Sequence, residues 1–299
     1  MSDEEGGMDP VTITAVGKAA ASASEAVADT GKNLAVRLFG PLADHWGAEL
    51  VERSKARSAR KTQALLDRAA EKRPEGAGPV PPRVAYRAVE EAVLTDDELV
   101  VDYLSGVLAG SRSPTGRDDR GVVWTELIAR MSALQLRCHF MIYRSFVEAL
   151  HGTDVNLGVD RTKVRAVFNL EEFVPILLEN DADMDLESAW NHVIWGLNRL
   201  DLIAFQAFGR VETLDISDSI PYKTVLIVEP TAAGVELYGW GAMGTSKLTL
   251  SNFGTDAIAV EPPTPVAPLE HVFFPGLAEV SDTPTQPAPS GSVVELPGL

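Results

Sequence analysis

Two apolar stripes in tandem, bracketed by prolines and a glycine, constrain this chain more than any other stretch. They lie in Pro81–Gly110, PPRVAYRAVEEAVLTDDELVVDYLSGVLAG. In its first half Val84, Ala85, Ala88, Val89, Ala92 and Val93 recur at i, i+1, i+4, i+5, i+8 and i+9. In its second half Leu99, Val100, Tyr103, Leu104, Val107 and Leu108 repeat that spacing. The spacing predicts two helices, each with one apolar face. Pro82 suits a first helical turn, and Gly110 suits the residue just past a last one. Between the halves, Thr95-Asp96-Asp97-Glu98 has the form of a capping box. It predicts that the Thr95 hydroxyl takes the Glu98 amide and the Glu98 carboxylate returns to the Thr95 amide.

Two striped helices need partners to bury them, and the flanks supply candidates. Residues 11–38 are Ala-rich and predict a weakly striped helix from about Ala15 to Ala28. After Gly40-Pro41, residues 42–73 predict a long helix anchored by Trp46, Leu50, Leu65, Leu66 and Ala69. A polar loop at Ser111–Gly121 leads to Val123, Trp124, Leu127, Ile128 and Met131, a third apolar pattern. Ser132-Ala133-Leu134-Gln135 is a second capping box, opening a helix that ends at His151-Gly152. Residues 11–152 therefore read as an antiparallel helical bundle, with about five helices joined by short loops over 42–150.

The pattern changes after Gly152. Residues 153–168 read as a mixed connector, and Asn169–Glu179 as a short helix interrupted by Pro175. Asp185 caps a firmer helix over Leu186–Leu200, with Trp190, Val193, Ile194 and Leu197 inward. Residues 202–208 and 222–228 read as strands, and Thr231 caps a last helix through Tyr238. Residues 153–250 thus resemble a winged-helix layout, with 209–221 as the wing. The fold class expected is mainly α: a helical bundle, then a small winged-helix-like α+β segment, then a Pro-rich tail.

Charge sets the outer limits. The chain has 299 residues and a net charge of −17. Residues 1–10 are acidic and read as disordered, without the basic and apolar regions of a signal peptide. Residues 251–299 carry nine prolines and no Lys or Arg, and read as a disordered acidic tail in which His271-Val272-Phe273-Phe274 is a small apolar island. One cysteine, Cys138, excludes an internal disulfide and suits a reducing cytosol. No apolar run reaches the roughly 20 residues that span a bilayer. A cytoplasmic protein is expected. The acidic body disfavours non-specific nucleic-acid binding, unless a local basic patch overrides it.

One such patch exists. Between Glu49 and Arg73 eight bases face four acids, and Arg53, Arg57, Arg60, Lys61 and Arg68 share a helix face. That face is the candidate surface for an anionic partner. A solvated helix face is the plainer reading, because charge runs on helices usually serve solvation.

Catalytic constellations are missing from the sequence. Gly239-Trp240-Gly241-Ala242-Met243-Gly244 matches G-x-G-x-x-G, but it follows a predicted helix, whereas a dinucleotide loop follows a strand and opens a helix. Asp181-Ala182-Asp183-Met184-Asp185 resembles the start of a calcium loop, yet Leu186 and His192 stand where Gly and Glu are needed. Cys138 and His139 are helix neighbours whose side chains diverge by about 100°. The carboxylates Asp96, Asp97, Glu98 and Asp102 are explained by capping and solvation. No catalytic residue, cofactor or metal site is expected.

Three segments carry a family resemblance: GPLADHWGAELVERSKARSARKTQALLDRAAEK, then VAYRAVEEAVLTDDELVVDYLSGVLAGS, then LIARMSALQLRCHFMIY. Together they resemble the Abi-alpha (abortive infection alpha) family of bacterial proteins. LNRLDLIAF and EPTAAGVELYGWG are similar to that family's closing segment, so the likeness covers about residues 35–242. It implies a role in defence against phage and implies no catalytic residue. The function expected is a non-catalytic interaction protein, with a protein partner or self-association. The alternative is a nucleic-acid-binding regulator using the basic helix or the winged-helix-like segment.

Overall fold

The computed structural model describes residues 59–72, 78–161, 164–178, 185–214, 220–262 and 266–275. The expected Ala-rich helix, the start of the long helix and residues 1–10 lie outside these. Residues 59–72 are helical (α1) and bury Leu65, Leu66 and Ala69. Helices α2 (Pro82–Leu94) and α3 (Glu98–Gly110) follow, with Pro82 in the first turn of α2. The stripe of α2 is buried as Val84, Ala85, Ala88, Val89 and Ala92. Helix α3 is buried nearly all round, since α2, α4 (Gly121–Ile128) and α5 (Ala133–Leu150) each pack against it.

Caps decide where these helices begin. Ser132 and Gln135 form the expected reciprocal box at the start of α5, at 3.1 and 3.0 Å. The box expected at Thr95–Glu98 is replaced by a different cap. Asp97 is the N-cap of α3, accepting the amides of Leu99 and Val100 at 2.9 and 3.0 Å. Thr95 instead closes α2 and accepts the Asp97 amide at 3.1 Å. The physical reason is that the Thr95 amide is already bonded to the Glu91 carbonyl of α2, while Arg68 takes the Glu98 carboxylate.

A short turn α6 (Leu157–Asp160) leads to β1 (Ala166–Asn169), then α7 (Leu170–Leu177), α8 (Leu186–Arg199), β2 (Ile203–Arg210), β3 (Thr224–Pro230) and α9 (Ala232–Leu237). A π turn at Tyr238–Ala242 extends α9, and α10 (Phe253–Asp256) and β4 (Val272–Phe273) complete the order. Among the described residues the sheet is antiparallel, in the order β2-β3-β1-β4. Mixed α+β architecture, rich in helix, is the result.

Strand β1 falls where the sequence suggested only a connector. Its short run AVFN gives no alternation because both faces are covered. Phe168, Leu226 and Val228 join the helices' core, while Val167, Val225 and Ile227 pack with Ile220 on the other face. The main core runs from Leu65 to Val266 and crosses residue 152, where the sequence set a boundary.

Part of the segment expected as a tail from residue 251 packs on the body. Phe253, Ala257 and Val266 are buried, and Phe274 packs edge-on against Phe146, 5.5 Å between ring centroids. The apolar island docks as β4 on β1. Glu172 holds that strap by accepting the amides of Glu270 and His271 at 2.5 and 3.0 Å. No helix among the described residues is long and apolar enough to cross a membrane.

Candidate functional site

The basic helix and the carboxylate cluster, two separate candidates in the sequence, meet each other. Lys61 donates to the carbonyls of Val93 (3.3 Å) and Thr95 at the end of α2, and pairs with Asp96 at 2.8 Å. A cation there complements the negative end of the helix dipole. Arg68 donates to the Glu98 carboxylate and to the Glu98 carbonyl. One turn on, Lys72 reaches Asp102 at 2.7 Å. Thus Lys61 and Arg68 of the anticipated partner surface are engaged within the chain. Arg60 is exposed, and Arg53 and Arg57 lie outside the described residues.

Lys72 is the centre of this seam. Its ammonium donates to the Asp102 carboxylate, to the Asp102 carbonyl (3.0 Å), and to the carbonyls of Gly241 and Ala242 (both 2.9 Å). Its side chain is 15% exposed and that of Asp102 is 11% exposed. Burial pushes Lys72 below the usual ammonium range, and Asp102 and its hydrogen bond oppose that shift. Burial likewise raises Asp102, and Lys72 opposes that. An ammonium ringed by four oxygens is held as a structural ion and offers no lone pair for nucleophilic attack. The seam opens on a cleft of about 380 Å³, lined by Arg68, Glu71, Lys72, Asp102, Met243 and Glu261 among others.

These contacts explain the Gly-rich stretch. It carries the π turn at the end of α9, so carbonyls face the seam and Lys72 caps them. A dinucleotide loop presents amides at a helix start, the opposite polarity. The glycines serve close packing. A Cβ on Gly106 would sit 1.7 Å from the Gly241 carbonyl oxygen, and one on Gly241 would sit 2.2 Å from the Tyr103 ring.

Beneath the seam lies a buried polar chain. Tyr103 Oη is 3.1 Å from His139 Nδ1, and His139 Nε2 is 3.1 Å from the Gly234 carbonyl. That carbonyl only accepts, so Nε2 carries the proton and Nδ1 accepts from the Tyr103 hydroxyl. Burial lowers His139 to about 3, so it is neutral near pH 7. Cys138 is fully buried, and burial pushes its thiol far up. The pair therefore has neither a thiolate nor a free base. Nearby, Tyr143 donates to the Leu202 carbonyl at 2.7 Å and accepts the Thr231 amide at 3.0 Å. Burial lifts its hydroxyl to about 12. Thr231 caps α9 through Gly234 at 3.1 Å and donates to Asp201 at 2.6 Å. This knot pins the turn between α8 and β2, where Asp201 adopts a φ of 56°.

What the knot positions is an open aromatic face. Trp195 is 42% exposed and Phe208 is 46% exposed. Rings run in contact from Trp195 to Phe205 (4.9 Å between centroids), to Phe208 (6.0 Å) and to Trp190 (5.8 Å). The Trp190 indole N–H is buried and has no acceptor among the described residues. On the α8 helix, Trp195 lies about opposite the buried residues Val193 and Leu197 at 100° per residue. The sequence signal was available: Trp195 interrupts the inward pattern of Trp190, Val193, Ile194 and Leu197.

Among the described residues no group of three or more His, Cys, Asp or Glu is arranged to hold a metal ion. The chain matches no family model, no curated protein and no solved structure.

Proposed function

We propose that this chain is a non-catalytic interaction protein of the Abi-alpha type, acting in bacterial phage defence through protein contacts. The observation that carries the reading is a contrast. Lys61, Arg68, Lys72, Asp102 and His139 are all engaged inside the fold, while the aromatic face of α8 and β2 is left open. Exposed Trp and Phe in one ring cluster suit a protein contact, where aromatic anchors dominate. In this reading α1 to α5 form the antiparallel bundle. Residues 153–250 hold the winged-helix-like segment, a reading supported by the order β1, α7, α8, β2, β3 and the sheet order β2-β3-β1. The test is a phage challenge of cells expressing wild type or Trp195→Ser. Loss of protection with unchanged unfolding temperature supports the reading; unchanged protection contradicts it.

The same winged-helix-like topology favours the second reading, a nucleic-acid-binding regulator. Against it, Asp185 and Glu187 place negative charge at the start of α8, the end that would meet phosphate. DNA and RNA binding measured against salt separates the two. Salt-dependent binding lost on Arg57→Glu and Arg60→Glu supports the regulator, and no salt-dependent binding removes it.

A further inference from the structure

The face that carries the proposed protein contact is self-complementary, and we infer that its partner is a second copy of this chain. This rests on the interaction reading and adds the identity of the partner. Helix α8 presents Glu187, Asn191, Trp195 and Arg199 to solvent. Glu187 and Arg199 lie at opposite ends of that face, twelve residues or about 18 Å apart. Neither has an ion-pair partner among the described residues. Two α8 helices laid antiparallel about a two-fold axis that crosses the exposed face midway between Asn191 and Trp195 bring Glu187 of each copy to Arg199 of the other. The pairing is made twice, as a closed two-fold contact requires. The same register sets Trp195 of each copy against Asn191 of the other, so the exposed ring is covered at the centre and the charges close the rim. Phe208, on β2 beside α8, extends the apolar area on each side of the axis. Strand β2 is an edge of the sheet.

Sedimentation velocity of the full chain over a concentration series tests this. A concentration-dependent dimer is expected. Trp195→Ser weakens it by about tenfold or more. Glu187→Arg alone and Arg199→Glu alone each weaken it, and the double charge swap restores it. That rescue is a readout that misfolding or an unrelated partner does not give. A wild-type chain that stays monomeric throughout, or a dimer indifferent to all four variants, overturns the inference. If the chain is monomeric yet Trp195→Ser loses phage protection, the self-contact falls and the interaction reading stands. If protection also persists, both fall.

Discussion

The seam between α1 and α3 and the open face of α8 and β2 use opposite chemistry. At the seam, charges are buried in pairs: Lys72 with Asp102, and Arg68 with Glu98 closer to solvent. At the face, rings are left in water: Trp195 and Phe208. A charge run that looks like a partner surface is here the lock between two helices. The apolar residues that look like core are here the exposed patch. Partner identity determines this. Basic residues at 61, 68 and 72 meet acids or carbonyls near 95, 98 and 102, about 30 positions on, so each charge has its counterpart within the chain. The ring that Trp195 touches is Phe205, and Trp195 is left 42% exposed.

The largest effect expected from breaking this contrast is on the seam's backbone. Gly106→Ala forces a Cβ to within 1.7 Å of the Gly241 carbonyl oxygen, so one of the two helices must shift. A loss of about 3 kcal/mol is expected in urea unfolding. Asp102→Ala leaves the Lys72 ammonium buried without its carboxylate, and a loss of about 3 kcal/mol is expected. The double variant Lys72→Met, Asp102→Leu should recover much of that, because the uncompensated charge is gone. A double variant as unstable as Asp102→Ala contradicts a desolvated pair.

The buried histidine gives a pH test. His139 has a folded value of about 3, against 6.5 for the unfolded chain. Its folded value is depressed and the neutral form is the native one. As pH falls below about 6.5 the unfolded chain binds the proton first, so stability falls. The loss runs at about 1.4 kcal/mol per pH unit until about pH 3. His139→Gln should flatten this part of the urea-unfolding profile between pH 6.5 and 5. An unchanged slope would place the titrating group elsewhere.

The smallest effects belong to the solvent side. Arg68→Ala removes a partly exposed ion pair and should cost no more than about 1 kcal/mol. Trp195→Ser should change stability by about 1 kcal/mol or less while altering association. A large loss of stability from Trp195→Ser would make that ring a core residue and remove the contrast.

Much of the helical half was legible in the sequence. The stripes of α2 and α3, the Ser132 box, the Asp185 cap and the Thr231 cap all follow from local patterns. What local patterns could not reveal was pairing over distance. Glu98 matches the capping box by spacing, but Arg68, 30 residues away, takes its carboxylate. Strand β1 is four residues long and buried on both faces, so it carries neither alternation nor length. The strap at 266–275 sits in a segment rich in Pro, and long-range contacts make it part of the body: the pairing of β4 with β1, the Glu172 carboxylate and the Phe146 ring. For the site, the basic face was visible, and its internal acceptors were not. The aromatic face went unnoticed although Trp195 falls off the α8 stripe, because Phe205 and Phe208 read as part of a strand and nothing local brings them to Trp195.

On the reading proposed above, contact with partners runs through the α8 and β2 face and not through the basic helix. Phage protection measured side by side for Trp195→Ser and Arg60→Glu, both unfolding at the wild-type temperature, tests it most directly. Protection lost with Trp195→Ser and kept with Arg60→Glu is the result predicted. Protection kept with Trp195→Ser and lost with Arg60→Glu would contradict it.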